Sequence, residues 1–156
     1  MLLGAMLVAL MLTLVLSVTW HVASRYLLLQ PSSWTEELAR YVLIWVGLLG
    51  TAYAYRTRAH MAIDQLVHAI RDPWRRRVQL LAIGTVMLFA GAVMMFGGGK
   101  LVLLTLELNQ LSAALGIRVG LVYLVIPLAG ALLVFFTILD VIALLRPDPT
   151  VPPGGA

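Results

Sequence analysis

Trp34-Thr35-Glu36-Glu37-Leu38-Ala39-Arg40 runs without a break into Tyr41-Val42-Leu43-Ile44-Trp45-Val46-Gly47-Leu48-Leu49-Gly50. Two acids and an arginine therefore stand at the mouth of an apolar run. Hydrocarbon does not tolerate such groups unless water, headgroups or a partner protein receives them. The stretch reads as the polar entrance of a membrane helix, and the composition agrees. Of 156 residues, 62% are hydrophobic and 12% charged, with mean hydropathy +0.98. Soluble domains carry roughly 25% charged residues. A water-soluble globule of this size has no room to hide so much apolar surface, so the chain reads as an all-α integral membrane protein.

Spanning ~30 Å of hydrocarbon takes ~20 mostly apolar residues in helix. Four runs qualify, at about 1–24, 33–56, 78–99 and 119–145. They show no period-two alternation, which argues against strands. Punctuation marks their ends. Pro31 breaks the chain after the first run, and Ser33 with Glu36 has capping-box spacing. Asp72-Pro73 offers a cap followed by a proline suited to the first helical turn. Gly97-Gly98-Gly99 is expected to loosen the far end of the third span. Pro127 is expected to kink the fourth, and Arg146-Pro147 to stop it. Residues 1–146 thus form one four-helix transmembrane domain, and the proline- and glycine-rich 147–156 a disordered tail. Between spans two and three, Ile63, Leu66, Val67 and Ile70 share one face, with Asp64, Gln65, His68 and Arg71 on the other positions. A short amphipathic interfacial helix is expected there.

The loop after span two holds Arg56, Arg58, Arg71, Arg75, Arg76 and Arg77, against Arg25, Arg40, Lys100 and Arg118 on the opposite side. The positive-inside tendency makes the arginine-rich loop cytoplasmic, which places both termini and the tail in the cytoplasm. Topology accounts for the net charge of +4, so nucleic acid is not an expected partner and membrane lipid is. The first run lacks a basic leading region and is longer than a signal sequence needs, so it is expected to remain as a span.

On a wheel of about 100° per residue, Glu36, Arg40, Leu43, Gly47, Gly50 and Ala54 share a narrow sector of span two, bordered by Thr51 and Arg58. Trp34, Tyr41 and Trp45 lie opposite. Small residues let helices approach closely in lipid, where dispersion and polar contacts drive association. Glu36 and Arg40 are spaced for an ion pair. The small face either packs against the other three spans or, with the aromatic face as a further candidate, docks a second membrane protein.

Chemistry is scarce. With no cysteine, disulfides, thiolate catalysis and cysteine-ligated clusters are excluded. His21 lies near the outer end of span one and His60 and His68 on the cytoplasmic side, so they cannot clamp one haem. His60, Asp64 and His68 follow i, i+4, i+8, but the outer two stand ~12 Å apart along a helix while zinc bonds are ~2 Å. Spans one and three hold no deep ionisable group, and Asp140 near the end of span four is placed for a local bridge to Arg146. No metal, cofactor or enzymatic activity is expected. A self-sufficient transporter needs buried coordinating groups at mid-membrane, so an accessory subunit is the better reading.

Several ordered segments resemble the small membrane subunit, DctQ-like, of tripartite ATP-independent periplasmic (TRAP) transporters. They are Arg25-Tyr26, Pro31, the stretch from Trp34 to Arg40, Trp45, Gly50, Ala54, Arg56, His60-Met61-Ala62-Ile63-Asp64, Ser112-Ala113-Ala114-Leu115-Gly116-Ile117, Tyr123 to Pro127, and Gly130. The resemblance covers nearly the whole chain. Departures are Arg118 and the missing charged lead before span one.

The resemblance implies an inner-membrane scaffold. It would steady a large DctM-like subunit during sodium-coupled uptake of an organic acid delivered by a periplasmic DctP-like protein. It implies partner-interface roles for Trp34, Glu36, Glu37 and Arg40, to which the helix wheel adds Trp45, Gly47 and Gly50. Arg56, His60 and Asp64 would organise the cytoplasmic turn. The alternative is a stand-alone four-helix assembly or sensor protein, recognisable as a homo-oligomer with no large partner.

Overall fold

The computed structural model describes residues 2–27, 32–69 and 72–145, with side chains described for 2–27, 32–57 and 77–143. It is helical almost throughout, and four helical stretches are long and apolar enough to cross a membrane: Leu2–Leu27, Ser33–Thr57, Arg77–Glu107 and Val119–Ala143. The first is α1 (Leu2–Leu27) and the second lies within α2 (Ser33–Ala69). The third begins as α3 (Asp72–Leu88), turns π-helical over Phe89–Gly97 and ends as α4 (Gly98–Glu107). The fourth is split into α5 (Val119–Tyr123) and α6 (Val125–Leu145).

Three local outcomes differ from the sequence reading. The amphipathic segment expected as a separate helix is helical to Ala69 but continuous with span two, because no proline or glycine interrupts Thr57 to Ala69. Its side chains, including those of His60 and Asp64, lie outside the described residues, as do Pro31, Arg146 and the tail. Span three does not end at Gly97-Gly98-Gly99 but continues to Glu107. The irregularity sits one step earlier, in the π segment. The amide of Gly98 is shared among the carbonyls of Val93, Met94 and Met95 as the helix returns to α geometry. Span four breaks at Leu124, ahead of the expected kink residue Pro127. Proline supplies no N–H to the carbonyl four residues before it, here that of Tyr123, and its ring crowds that turn.

The spans pack in the order one, two, four, three. Span one leans chiefly on span two, span two on α6, and α6 on the π segment and α3. The core is the meeting point of spans two, three and four: Leu49 and Ala52, Ala90 and Met94, Val125, Ala129 and Leu133. Glycine permits the closest approach. A Cβ on Gly130 would stand 2.7 Å from Met94 Cβ and 3.1 Å from the Ala90 carbonyl oxygen, and one on Gly98 would stand 2.7 Å from Ile126 Cγ2. At the far end of the hairpin, Gly120 sits under Leu106, whose Cγ would lie 2.7 Å from an added Cβ. At Gly130, which faces backbone and a Cβ, a larger residue requires backbone movement, whereas at Gly98 and Gly120 the Ile126 and Leu106 side chains would have to give way.

Candidate functional site: the two edges of span two

Thr35 begins the site from below. It is 1% exposed, and its hydroxyl donates to the Ser32 carbonyl at 2.8 Å. His21 of α1 approaches the same carbonyl through Nδ1 at 3.2 Å, and the Ser24 hydroxyl donates to the His21 carbonyl at 2.9 Å. The His21 contact links the end of α1 to the start of α2, and the two local bonds hold these ends in place. His21 is thereby a structural pin.

One edge of α2 then turns inward. Glu37 Oε1 accepts from the Tyr41 hydroxyl at 2.7 Å. Its Oε2 accepts from the amides of Ala114 and Leu115, at 2.7 and 3.1 Å. The buried Ser112 hydroxyl, beside this carboxylate, accepts from the Leu115 amide at 3.2 Å. The donors are presented by a turn that closes on itself. Ser112 N–H donates to the Ile117 carbonyl at 2.8 Å, Gly116 N–H to the Ser112 carbonyl at 3.1 Å, and Gly116 has φ +65°. That φ belongs to the left-handed region, where a side chain is strained. Two turns along α2 from Glu37, the Trp45 indole N–H donates to the Val122 carbonyl at 3.1 Å, beside the break in span four. Glu37, oriented by Tyr41, thus ties span two to the turn between spans three and four, and Trp45 ties it to α5 at the start of span four.

The other edge faces away from the protein. Glu36 is bonded to Arg40 at 3.0 Å, with both side chains more than half exposed. Glu36 is therefore directed along the helix to Arg40 and not back to Ser33 as capping-box spacing suggested. Leu43, Gly47 and Thr51 are exposed on this edge, and a Cβ on Gly47 or Gly50 would meet nothing within 4 Å. Gly50 and Val46 form one wall of an open apolar groove, with Leu7, Val8, Met11, Leu12 and Val15 of α1 as the other. On the small face, Gly47 is thus open and Gly50 half-buried beside α1.

Trp34 is half exposed at the helix start. At the opposite end, the Arg56 guanidinium stacks over the Phe136 ring with Cζ 5.1 Å from its centroid. Asp140 neighbours Tyr55, and its Oδ2 is buried without a hydrogen-bond partner among the described residues.

The expected interface residues are thus divided. Glu37 and Trp45 are engaged inside the chain, Glu36, Arg40 and Gly47 are exposed, and Gly50 lines the groove beside α1. Sequence reasoning missed the partners of Glu37 and Trp45, which lie 77 residues away in the chain. Ser112 to Ile117 stood out in the sequence only as a familiar motif, with no physical role attached.

The chain is similar in sequence to known proteins. The family described as "Tripartite ATP-independent periplasmic transporters, DctQ component" matches residues 14–147. The C4-dicarboxylate TRAP transporter small permease protein DctQ of Rhodobacter capsulatus is 34% identical over 102 residues, covering 65% of this chain and 44% of that protein. The sialic acid TRAP transporter small permease protein SiaQ of Vibrio cholerae is 32% identical over 90 residues, covering 58% and 52%. The isethionate TRAP transporter permease protein DctMQ of Oleidesulfovibrio alaskensis is 27% identical over 134 residues, covering 81% of this chain and 21% of that one. The chain spans about half the length of the first two relatives. With the family matched over most of its length and four helices suited to spanning, this multi-pass membrane protein belongs to the DctQ component family of TRAP transporters.

Proposed function

We propose that the chain is the small permease subunit of a TRAP-type transporter, bracing a large membrane subunit in the bacterial inner membrane. The complex would take up an organic acid delivered by a periplasmic binding protein, with sodium as the coupling ion. The arginine-rich loop then faces the cytoplasm, and the turn bonded to Glu37 faces the periplasm.

The observation that carries this reading is the outward edge of span two. Gly98, Gly120 and Gly130 sit at close crossings, whereas Gly84, Gly91 and Gly99 leave open space beside their own helices. Gly47 and Gly50 likewise leave open space, on one edge of span two. Glycine in a helix costs roughly 1 kcal/mol relative to alanine, so two of them on that edge fit a close approach by another helix. We assign Glu36, Arg40, Gly47 and Gly50 to that contact, with Trp34 at its rim. Glu37 and Trp45 support it from behind. Arg56, His60 and Asp64 remain the proposed cytoplasmic turn. The length relation in the isethionate permease supports the same picture, since there the matching segment is a fifth of one longer chain.

The test is a mild-detergent pull-down with this chain as bait, combined with uptake in cells lacking it. The reading expects a large permease to co-purify and sodium-dependent uptake to fail on deletion. A stable homo-oligomer without a large partner, together with unimpaired uptake, would refute it.

A further inference from the structure

We infer that the hairpin made of α4, the turn and α5 is a separately hinged unit, held on span two by Glu37 as a clasp. Both legs of this hairpin lose regular helix geometry at one level. In span three the π segment ends at Gly97, and the Gly98 amide is divided among three carbonyls. In span four the helix breaks at Leu124, and the first bond beyond it, Leu128 N–H to the Leu124 carbonyl, is long at 3.3 Å. The two irregularities touch, because Gly98 packs against Ile126 and Pro127. Helices bend where the hydrogen-bond ladder is interrupted, at proline and at π segments.

Beyond that level the hairpin is tied to itself. Ser112 N–H reaches the Ile117 carbonyl at 2.8 Å, Val119 N–H reaches the Gln110 carbonyl at 3.0 Å, and Gly120 is locked under Leu106. It therefore tilts as one piece. The core residues Ala90, Met94, Ala129 and Leu133 lie on the other side of the level and stay with spans two and four. The hydrogen bonds that hold the hairpin to span two are those of Glu37 and Trp45, and Tyr41 orients the Glu37 carboxylate. Glu37 is accordingly a positioning residue for the turn. This inference rests on the chain's own geometry and is independent of the transporter reading.

The chain has no cysteine, so labels are introduced without background. Spin labels at Ala113→Cys and Thr19→Cys report the turn against span one. Labels at Thr57→Cys and Ala143→Cys report the opposite end. In the full-length chain in lipid nanodiscs, Glu37→Ala should widen the first distance distribution and leave the second unchanged. Hydrogen exchange at the Ala114 and Leu115 amides should rise about tenfold, the weight of a lost bond to a charged acceptor. Tyr41→Phe and Trp45→Phe should act in the same direction and less. Equal widening of both pairs, or none, overturns the hinge. Should Glu37→Ala yield no folded protein, Trp45→Phe decides by the same two criteria.

Discussion

The two edges of α2 are drawn from the same few turns of helix and have opposite fates. Glu37 ends on backbone amides of the distant turn between spans three and four, and Trp45 on a backbone carbonyl of α5. Glu36 and Arg40, one and three residues from Glu37, pair only with each other in the open. Adjacent acids thus carry different work, and the cause is angular: a step of about 100° moves a side chain from a neighbouring helix to the lipid or a partner. The glycines repeat the division. Gly130 touches backbone of the π segment, whereas Gly47 touches nothing. The comparison separates residues that build the subunit from residues that it offers.

The glycines give the largest contrast. Gly130→Val should destabilise the isolated subunit by about 3 kcal/mol through overpacking, read as loss of folded protein in thermal or denaturant titration. Gly47→Val should stay within about 0.5 kcal/mol there and yet lower recovery of the large partner. Equal stability losses for the two would erase the distinction.

Next comes Glu37→Ala, which removes the acceptor of two amides and the Tyr41 hydroxyl at once. The unfolding midpoint should fall clearly in the isolated chain, before any partner is present. A midpoint equal to wild type, with the partner lost, would move Glu37 to the outward set. Trp45→Phe should cost about 1 kcal/mol, the typical net weight of one hydrogen bond, measured by the same titration. The smallest effect is that of Arg40→Ala. An exposed i, i+4 pair contributes about 0.3–0.5 kcal/mol, so the isolated chain should barely respond, while co-purification with the partner should weaken. Unchanged recovery would leave Arg40 as part of a surface ion pair and nothing more.

The polar entrance at Trp34 to Arg40 was legible because charge beside a long apolar run has few physical meanings. The small face was equally legible from its spacing, but not what it meets, since glycines that face a neighbouring helix and glycines that face outward look alike in a sequence. The pairing of Glu36 with Arg40 followed from local spacing. The bonds of Glu37 did not, because the turn that receives them is formed by Ser112 to Ile117, far along the chain. The break at Leu124 was foreseen in kind from Pro127, while the π segment left no mark among the apolar residues that form it.

Hydrophobic length alone determined that there are four spanning helices, because the bilayer thickness sets a threshold that residue composition either meets or misses. Their order of packing, the inward turn of Glu37 and Trp45, and the exposure of Gly47 were decided only by the tertiary structure. In apolar surroundings the hydrophobic effect does not distinguish one greasy helix face from another. Close approach and individual hydrogen bonds between distant residues make that choice, and neither is encoded in a local pattern.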